Sequence, residues 1–334
     1  MGIRVLSHQD VHRLLPPREC AAAMREALVA LASGRVHQPG RRPVLDPPGA
    51  AGLLGLMPAY LAGAAAEEPA YGLKAVCLFP GNTARGLDAH QGAVLLFDGA
   101  TGEALALLNA SAVTEVRSAA VTAVATDVLA RADARELAVV GTGVQGRAHV
   151  RALALAGVRD FRRIRVAARD FAKTERVCAE LEAELGLPVR ACREVREAVE
   201  GADVVVTATD AAEPVLRRSW LASGCHVNAV GSAVATTREI DGATMAACAV
   251  FADSVAAVRA EAGDYLLALR EGAVGPEQVR CSVGEVLTGA APGRTDDGQL
   301  TLFESVGLAA WDLVAARHAT ARARRDSVGS LVPY

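Results

Sequence analysis

The segment from Glu136 to Val150, ELAVVGTGVQGRAHV, constrains the fold of this chain more than any other. A short apolar run leads into the pattern G-x-G-x-x-G, and a helical pattern follows directly. In such a strand–turn–helix unit the first glycine permits a tight turn, the second lets a pyrophosphate approach the backbone, and the third lets the helix pack close to the strand. The positive end of the helix then faces the phosphates. The segment predicts a dinucleotide site formed by Gly141, Thr142, Gly143, Val144, Gln145 and Gly146.

Beyond residue 135 the chain alternates short apolar runs with helical patterns, which is typical of a doubly wound parallel sheet. Six strands are predicted, with the fourth at 203–208, the fifth at 226–230 and the sixth at 249–252. The segment 254–290 looks helical, and a last helix is predicted over Leu302 to Arg325. The carboxyl ends of the strands are where such sheets bind ligands, so Thr207, Ala229 and Gly231 are further predicted cofactor contacts.

The first third of the chain has a different pattern. A helix is predicted over 8–34, with its main segment beginning at Pro16-Pro17, and a strand-rich region with frequent turn residues follows. A hairpin is predicted over 90–106, with its turn at 98–102. Ser111 is the predicted cap of a long Ala-rich helix that leads into the second domain. The predicted fold class is α/β, with a Rossmann doubly wound parallel sheet and an α+β domain beside it.

Composition excludes several classes of function. The 334 residues carry a net charge of −3 and no long basic run, so neither nucleic acid nor an anionic membrane is an expected partner. The N-terminus lacks the apolar core of a signal peptide, and no apolar stretch is long enough to span a bilayer. The seven cysteines are scattered, which favours reduced thiols in a cytoplasmic protein. We recognise no metal-ligand spacing among the seven histidines, and no metal site is predicted.

The end of the second strand distinguishes the two nicotinamide dinucleotides. An acidic residue there binds the ribose of NAD, whereas an arginine nearby accommodates the 2′-phosphate of NADP. The sequence reads Ala168-Arg169-Asp170, with a small residue where the carboxylate is expected and an arginine after it. Guanidinium suits phosphate through bidentate, charge-assisted bonds, so NADP(H) is favoured. NAD(H) stays open, because Asp170 takes the acidic position if the strand is longer.

Three basic residues are candidates for binding a substrate. Arg41 precedes a strand, Lys74 lies inside the apolar strand YGLKAVC, and Arg117 lies within the Ala-rich helix. A lysine in such a strand is costly to bury unpaired, so either it points outward at an edge or it has a partner such as a substrate carboxylate. Taken singly, Arg117 reads as an ordinary exposed arginine of a helix.

The chain resembles the ornithine cyclodeaminase/mu-crystallin family through segments that span nearly its whole length. The segments that carry the resemblance are QPGRRPV (38–44), GLLGLMPAY (52–60), GLKAV (72–76), HQGAVLLFDGATGEALA (90–106), VRSAA (116–120), VVGTGVQGRAH (139–149), HVNAVGS (226–232) and TLFESVGLAAWD (301–312). The resemblance implies a homodimer. It also implies a substrate-binding and dimerisation domain formed by 1–122 with 309–334, and a Rossmann domain over 123–308.

The resemblance also implies roles for particular residues. Arg41, Lys74 and Arg117 fall on the basic positions with which the family binds its substrate, and Lys74 can also donate a proton or polarise a bond. One departure is informative. Cyclodeaminases carry an acidic residue shortly after the NAVG segment and a lysine four residues later, whereas this chain has Ala233 and Thr237 there. Neither side chain can act as a base or pair with an ammonium group.

These observations lead to an expected function. The chain is expected to reduce a cyclic imine that carries a carboxylate, such as Δ1-pyrroline-2-carboxylate or Δ1-piperideine-2-carboxylate, with NAD(P)H. Three alternatives stay open: an alanine- or opine-type amino-acid dehydrogenase, ornithine cyclodeaminase itself, and a non-catalytic protein that keeps the nucleotide site. Ala233 argues against the cyclodeaminase, and the full basic set argues against a non-catalytic role.

Overall fold

The computed structural model describes residues 2–40, 42–64 and 68–334. The chain forms two compact units. The split unit joins Met1–Arg117 with Leu308–Tyr334, and the central unit is Ser118–Gly307. Within the described residues, we find no helix with the length and apolar character needed to cross a membrane.

In the first 129 residues, one strand and two helices come before a strand-rich region, and a long helix follows it. In chain order they are β1 (Gly2–Leu6), α1 (His8–Leu14), α2 (Pro17–Ala32), β2 (Val36–His37), β3 (Arg42–Leu45), β4 (Leu53–Leu61), β5 (Ala70–Leu78), a 3-10 segment (Pro80–Arg85), β6 (His90–Asp98), β7 (Ala104–Asn109) and α3 (Ala110–Leu129).

The remaining elements alternate strands with helices. In chain order they are β8 (Glu136–Val140), α4 (Val144–Leu155), β9 (Arg163–Ala167), α5 (Phe171–Leu185), β10 (Val189–Cys192), α6 (Val195–Val199), β11 (Val204–Thr207), a 3-10 turn (Arg218–Trp220), β12 (His226–Ala229), α7 (Gly242–Ala247), β13 (Ala249–Ala252), α8 (Val255–Glu261), α9 (Gly263–Arg270), β14 (Val279–Ser282), α10 (Val283–Leu287), β15 (Thr301–Glu304), α11 (Ala309–Arg325) and β16 (Ser330–Pro333).

The split unit is a mixed sheet covered by helices. Its strand order is β16-β1-β7-β6-β5-β4-β2, with β3 also paired to β4. β1 and β7 are parallel and the other pairs are antiparallel, including the predicted β6–β7 hairpin, which is confirmed. The returning helix α11 packs on β4, β5 and β6. It lies so close to β5 that a Cβ at Gly72 would be 2.9 Å from the side chain of Leu313.

Two predictions for the split unit are wrong in detail. The main segment begins at Pro17, as predicted, but His8–Leu14 forms a separate helix, because a proline is well suited to the start of a helix and cannot continue one. The Ala-rich helix α3 begins at Ala110, and its cap is Asn109, whose Oδ1 accepts a hydrogen bond of 2.9 Å from the amide of Ala112. Ser111, the predicted cap, lies inside the helix instead.

The central unit contains the predicted doubly wound sheet. Its eight strands are all parallel, in the order β10-β9-β8-β11-β12-β15-β13-β14. The first five follow the order 3-2-1-4-5 of a Rossmann fold, with β8 as the first strand. A buried apolar cluster from these strands and from α4 and α5 forms the core behind the glycine turn. The predicted α/β fold class is confirmed.

Two strands of this sheet were not predicted. β14 lies within the segment expected to be helical, and β15 occupies the start of the predicted last helix. β15 pairs with β12 on one side and β13 on the other, and all four of its residues are buried. The strand reads Thr-Leu-Phe-Glu and is buried on both faces, so its apolar and polar residues do not alternate and periodicity does not distinguish it from a helical segment. The last helix accordingly begins at Ala309.

Candidate active site

The glycine turn between β8 and α4 has two positions that only glycine can occupy. Gly141 has φ of +120°, and a Cβ there would overlap the carbonyl oxygen of Ala208 at the end of the neighbouring strand. A Cβ at Gly146 would overlap the carbonyl oxygen of Gly141. These two glycines therefore bring α4 against the end of β8, as the sequence motif predicts.

Gly143 has a different environment. It is the N-cap of α4, has no side-chain capping bond, and a Cβ built on it would meet no atom within 4 Å. The amide groups at the start of a helix need acceptors, and the helix dipole makes this end favourable for an anion. An open glycine at an uncapped helix start fits the pyrophosphate of a dinucleotide. Of the other predicted contacts in the turn, Thr142 is buried and Val144 is half exposed.

A buried histidine fixes the first turn of α4. His149 is fully buried, and burial lowers its pKa to about 4, so the ring is neutral. Its Nδ1 donates to the carbonyl oxygen of Gln145 at 2.7 Å, and its Nε2 accepts from the hydroxyl of Thr122 at 3.0 Å. The backbone of Gln145, a predicted cofactor contact, is thereby held in place.

The carboxyl ends of the strands meet at one edge of the sheet. Thr207 is in register with Val140 on one side and Ala229 on the other. The hydroxyl of Thr207 donates to Glu239 at 2.8 Å, and the amide of Gly231 donates to the same carboxylate at 2.7 Å. Thr207 and Ala229 are fully buried, so the structure gives Thr207 and Gly231 a first role in ordering these loops. Their contact with a dinucleotide stays a prediction.

Sequence reasoning missed Glu239. Its carboxylate also accepts bonds from the amide and the hydroxyl of Thr209, at 2.6 and 2.7 Å. Burial raises the pKa of Glu239, although these hydrogen bonds act in the opposite direction. One buried carboxylate thus holds the loops after β11 and β12 together. The sequence signal is weak, because Glu239 follows the loop it organises and belongs to no recognisable motif.

Glu304 is a second buried acid at this edge. It ends β15, lies beside Ala229 of β12, and its side chain is fully buried. Within the central unit, all of whose residues are described, neither of its carboxylate oxygens has a hydrogen-bond partner. Burial raises the pKa of Glu304 well above its usual value, and the neighbouring charges of Asp264, Glu239 and Asp253 act in the same direction. Burial thus favours the neutral form of this side chain.

Arg169 follows β9, where a 2′-phosphate is expected. Its side chain is 92% exposed and lies 3.1 Å from Asp210, which is exposed as well. Asp170 is the N-cap of α5, and its Oδ1 accepts a bond of 2.9 Å from the amide of Lys173. Asp170, the residue that kept NAD(H) open as an alternative, thus caps a helix, whereas the guanidinium of Arg169 forms a surface ion pair.

In the split unit, the structure brings together two of the three predicted basic residues around one acid. Nζ of Lys74 lies 2.8 Å from Oδ2 of Asp312, and Nε of Arg117 donates to Oδ1 of the same residue at 3.1 Å. All three side chains are buried, with at most 6% exposed. Lys74 also lies 3.4 Å from the hydroxyl of Thr114. Arg41, the third predicted residue, lies outside the described residues.

Sequence reasoning missed Asp312, the acid that pairs with both cations in this unit. Burial acts to raise its pKa, but the charges of Lys74 and Arg117 outweigh burial and hold the pKa below its usual value. By formal charge, two cations and one anion give the cluster a net charge of about +1. The available signal was the cost of burying Lys74, which required a partner but did not identify it.

Ala233 and Thr237 lie in the loop that follows β12. The hydroxyl of Thr237 donates to the carbonyl oxygen of Val234 at 3.1 Å, which closes a local turn. Ala233 is half-buried and has no polar side-chain atom. These two positions of the loop supply no ionisable group, as the sequence indicated.

Comparison with known proteins gives one family over nearly the whole chain. Residues 3–327 match the model of the ornithine cyclodeaminase/mu-crystallin family. The chain is 36% identical to the ketimine reductase mu-crystallin of Mus musculus over 304 residues, which cover 91% of this chain and 90% of the mouse protein.

Two solved structures share the fold along their full length. The Δ1-pyrroline-2-carboxylate reductase of Thermococcus litoralis, in complex with NADH and L-proline, superposes with a TM-score of 0.91 at 31% identity, covering 98% of this chain and 99% of that one. An archaeal alanine dehydrogenase dimer with bound NAD also has a TM-score of 0.91, at 28% identity and with complete coverage of both chains.

Proposed function

The chain belongs to the ornithine cyclodeaminase/mu-crystallin family as an NAD(P)-dependent oxidoreductase, and we propose that it reduces a cyclic imine that carries a carboxylate. Δ1-Pyrroline-2-carboxylate and Δ1-piperideine-2-carboxylate are the proposed substrates, with the cyclic amino acids as products. The observation that carries the proposal is the buried cluster of Lys74, Arg117 and Asp312. The mouse and Thermococcus relatives, named as a ketimine reductase and a Δ1-pyrroline-2-carboxylate reductase, support it.

The charge of the cluster suits the substrate. A net charge of about +1 attracts one carboxylate, and burial strengthens this attraction because little water screens it. Arg117 binds Asp312 through Nε, so the terminal nitrogens of its guanidinium are the part that can reach a carboxylate. We propose that Arg117 and Arg41 hold the substrate carboxylate and thereby orient the ring.

Lys74 is the proposed proton donor. Reduction of a C=N bond to an amine adds a hydride to carbon and requires a proton on nitrogen, and an ammonium group can supply that proton or polarise the bond. Asp312, at 2.8 Å, stabilises the charged form of Lys74 by direct attraction. We therefore propose that Asp312 is a positioning residue, because it contacts both Lys74 and Arg117.

The central unit has the features required to hold the dinucleotide. Gly143 leaves the start of α4 open to a pyrophosphate, and the exposed Arg169 suits a 2′-phosphate, so we propose NADPH as the preferred reductant and NADH as the second choice. When bound, the reduced nicotinamide supplies the hydride. The chain's own contribution is to bind and orient it, through the glycine turn and the loops that Glu239 orders.

A second candidate function is supported by the alanine dehydrogenase structure. An enzyme of that type reduces the imine formed from a 2-oxo acid and ammonia, so it needs the same carboxylate-binding and proton-donating groups. Ornithine cyclodeamination is disfavoured, because Ala233 and Thr237 stand where this family's cyclodeaminases carry an acid and a lysine. We further propose that the chain forms a homodimer, as the archaeal relative does.

The test is a matrix of cofactors against substrates. Purified protein is mixed with NADPH or NADH and with each cyclic imine, with pyruvate plus ammonia, or with ornithine, and dinucleotide oxidation and ammonia release are followed. The proposal predicts oxidation of NADPH with at least one imine and formation of the cyclic amino acid. It fails if folded protein binds a dinucleotide but oxidises it with neither imine. Ammonia release from ornithine without net oxidation would establish the cyclodeaminase instead.

A further inference from the structure

Three potential metal ligands converge on the surface of the split unit, in residues that the proposed reaction does not use. His8 and His12 lie on α1, and Glu115 lies on α3. Nε2 of His12 is 3.4 Å from Oε2 of Glu115, and Nε2 of His8 is 3.8 Å from the same oxygen. One ligand atom from each residue lies within 4.8 Å of the other two.

The local sequence explains why the two imidazoles lie together. Ser7 and Asp10 form a capping box that fixes the start of α1, so His8 is the first residue of the helix. Residues four apart lie on the same face of a helix, one above the other, and the ring centroids of His8 and His12 are 4.6 Å apart. The carboxylate of Asp10 is bonded to Ser7, which leaves Glu115 as the acid that faces both rings.

The Nε2 atom of His12, a potential metal ligand, lacks a hydrogen bond in the described part of the chain. Nε2 of His12 is buried and has no hydrogen-bond partner within the described part of the chain, and its distance of 3.4 Å to Glu115 exceeds that of a good hydrogen bond. A buried polar atom without a partner costs free energy that a bound ligand can recover. Glu115 is only 13% exposed, while His8 is 54% exposed, so the site opens to solvent on the side of His8.

We propose that His8, His12 and Glu115 bind a divalent transition-metal ion with the ligand preference of Zn²⁺. Two imidazole nitrogens and one carboxylate oxygen are a three-ligand set that Zn²⁺ accepts, with water in the fourth position. Tetrahedral bonds of about 2.1 Å place ligand atoms about 3.4 Å apart. Because the three ligand atoms lie within 4.8 Å of one another, binding requires a contraction of at most about 1.4 Å between any two of them. Rotation of the exposed His8 side chain is sufficient for this change.

The bound ion would connect α1 to α3. α1 is a short helix at the start of the chain, and its contacts include β1, β7 and α11. A ligand that binds the folded state and not the unfolded one stabilises the fold by mass action. The site therefore anchors the N-terminal helix, and its occupancy is expected to raise the melting temperature. The expectation of no metal site from the sequence overlooked the four-residue spacing of His8 and His12.

The experiment is a calorimetric titration of the full chain with ZnCl₂ after treatment with a chelator. One ion per chain is expected to bind, with a rise in melting temperature, and Co²⁺ is expected to give the visible absorption of a tetrahedral site. Since loss of a second-shell partner alone weakens metal binding by about 10–100-fold, H12A and E115Q are each expected to weaken it at least as much.

The matched control is H318A. His318 also faces a glutamate, with Nε2 2.8 Å from Glu26, but no second histidine is part of the pair, so zinc affinity should stay as in the unmodified protein. H8N changes an exposed residue and keeps the fold, which makes it the second test variant if H12A unfolds. The proposal is overturned if stoichiometric zinc binding is absent, or if folded H8N retains full affinity. Both readouts are independent of imine reduction, so they do not depend on the function proposed above.

Discussion

Oδ2 of Asp312 lies 2.8 Å from Nζ of Lys74, and both side chains are buried. Asp312 belongs to α11, which returns to the split unit after the whole central unit, while Lys74 lies in the middle of β5. The close approach of α11 to β5, which Gly72 permits, brings the two charges together. The last helix of the chain therefore completes the cluster that we propose binds the substrate.

The D312N variant is expected to be strongly destabilised. It keeps the shape of the side chain but leaves Lys74 and Arg117 buried without their counter-charge, and breaking a buried ion pair in this way costs about 3–5 kcal/mol. Urea unfolding measures the loss. The matched control is E200Q, which breaks an exposed pair with Arg196 and should change stability by less than about 1 kcal/mol. Equal stabilities of D312N and E200Q would contradict this account of the cluster.

Lys74 can act through its charge or through its proton, and two variants separate these roles. K74M removes both and is expected to lower kcat by at least ~100-fold, while dinucleotide affinity stays unchanged because the glycine turn belongs to the other unit. K74R keeps a positive charge for Asp312 but holds its proton too tightly to donate it. Stability restored in K74R without recovery of kcat is the result expected of a proton donor. Recovery of kcat in K74R would show that charge alone suffices.

The three glycines of the turn are expected to respond differently to alanine. G141A and G146A should lower stability, because the added Cβ overlaps a backbone carbonyl oxygen in each case. G143A should fold with unchanged stability, since a Cβ there meets no atom within 4 Å, but should bind the dinucleotide at least ~10-fold more weakly, a loss of about 1.4 kcal/mol. Thermal melting and a fluorescence titration with NADPH separate the two effects. Normal NADPH binding by G143A would place the pyrophosphate elsewhere.

Sequence patterns predict the central unit well where the information is local. The glycine turn and the strands beside it could be predicted because strand, turn and helix lie within a few residues of each other. β15 and Asp312, the partner of Lys74, could not be predicted in this way, because each depends on a pairing between distant parts of the chain. A buried lysine implies an acid nearby, but nothing in the chain marks Asp312 as that acid until α11 is seen on the sheet.

Arg169 is expected to set the choice between the two dinucleotides. Its guanidinium is 92% exposed and its ion pair with Asp210 is a surface pair, so it is free to bind a phosphate. R169D should raise the KM for NADPH by at least ~10-fold, because a bidentate charge-assisted contact becomes a like-charge repulsion, and should leave NADH almost unaffected. R196Q, which changes another exposed arginine of the central unit, is the control. Steady-state kinetics with both cofactors decides, and an unchanged preference in R169D would remove this residue from the cofactor site.

Glu304 makes stability depend on pH in a direction that can be worked out. Burial raises its pKa in the folded chain well above the value of about 4.3 in the unfolded chain, so above pH 4.3 the folded state holds a proton that the unfolded state releases. Unfolding then becomes more favourable by about 1.4 kcal/mol per pH unit until the pH reaches the folded pKa. The E304Q variant lacks this ionisation. Its stability relative to the unmodified chain should therefore be similar near pH 4 and should rise as the pH increases from about 4.3 towards the raised pKa of the folded state, as measured by urea unfolding.

Glu239 provides the contrast for E304Q. Its carboxylate accepts hydrogen bonds from Thr207, Thr209 and Gly231, and an amide nitrogen in that place would face donors instead of accepting from them. E239Q is therefore expected to be destabilised at every pH from 5 to 8, by about 1–3 kcal/mol for each donor left unsatisfied. Glu304, whose carboxylate oxygens accept no bond within the central unit, loses nothing of this kind. If the free energies of unfolding of E304Q and of the unmodified chain change with pH in parallel, the pKa of Glu304 is not raised in the folded state.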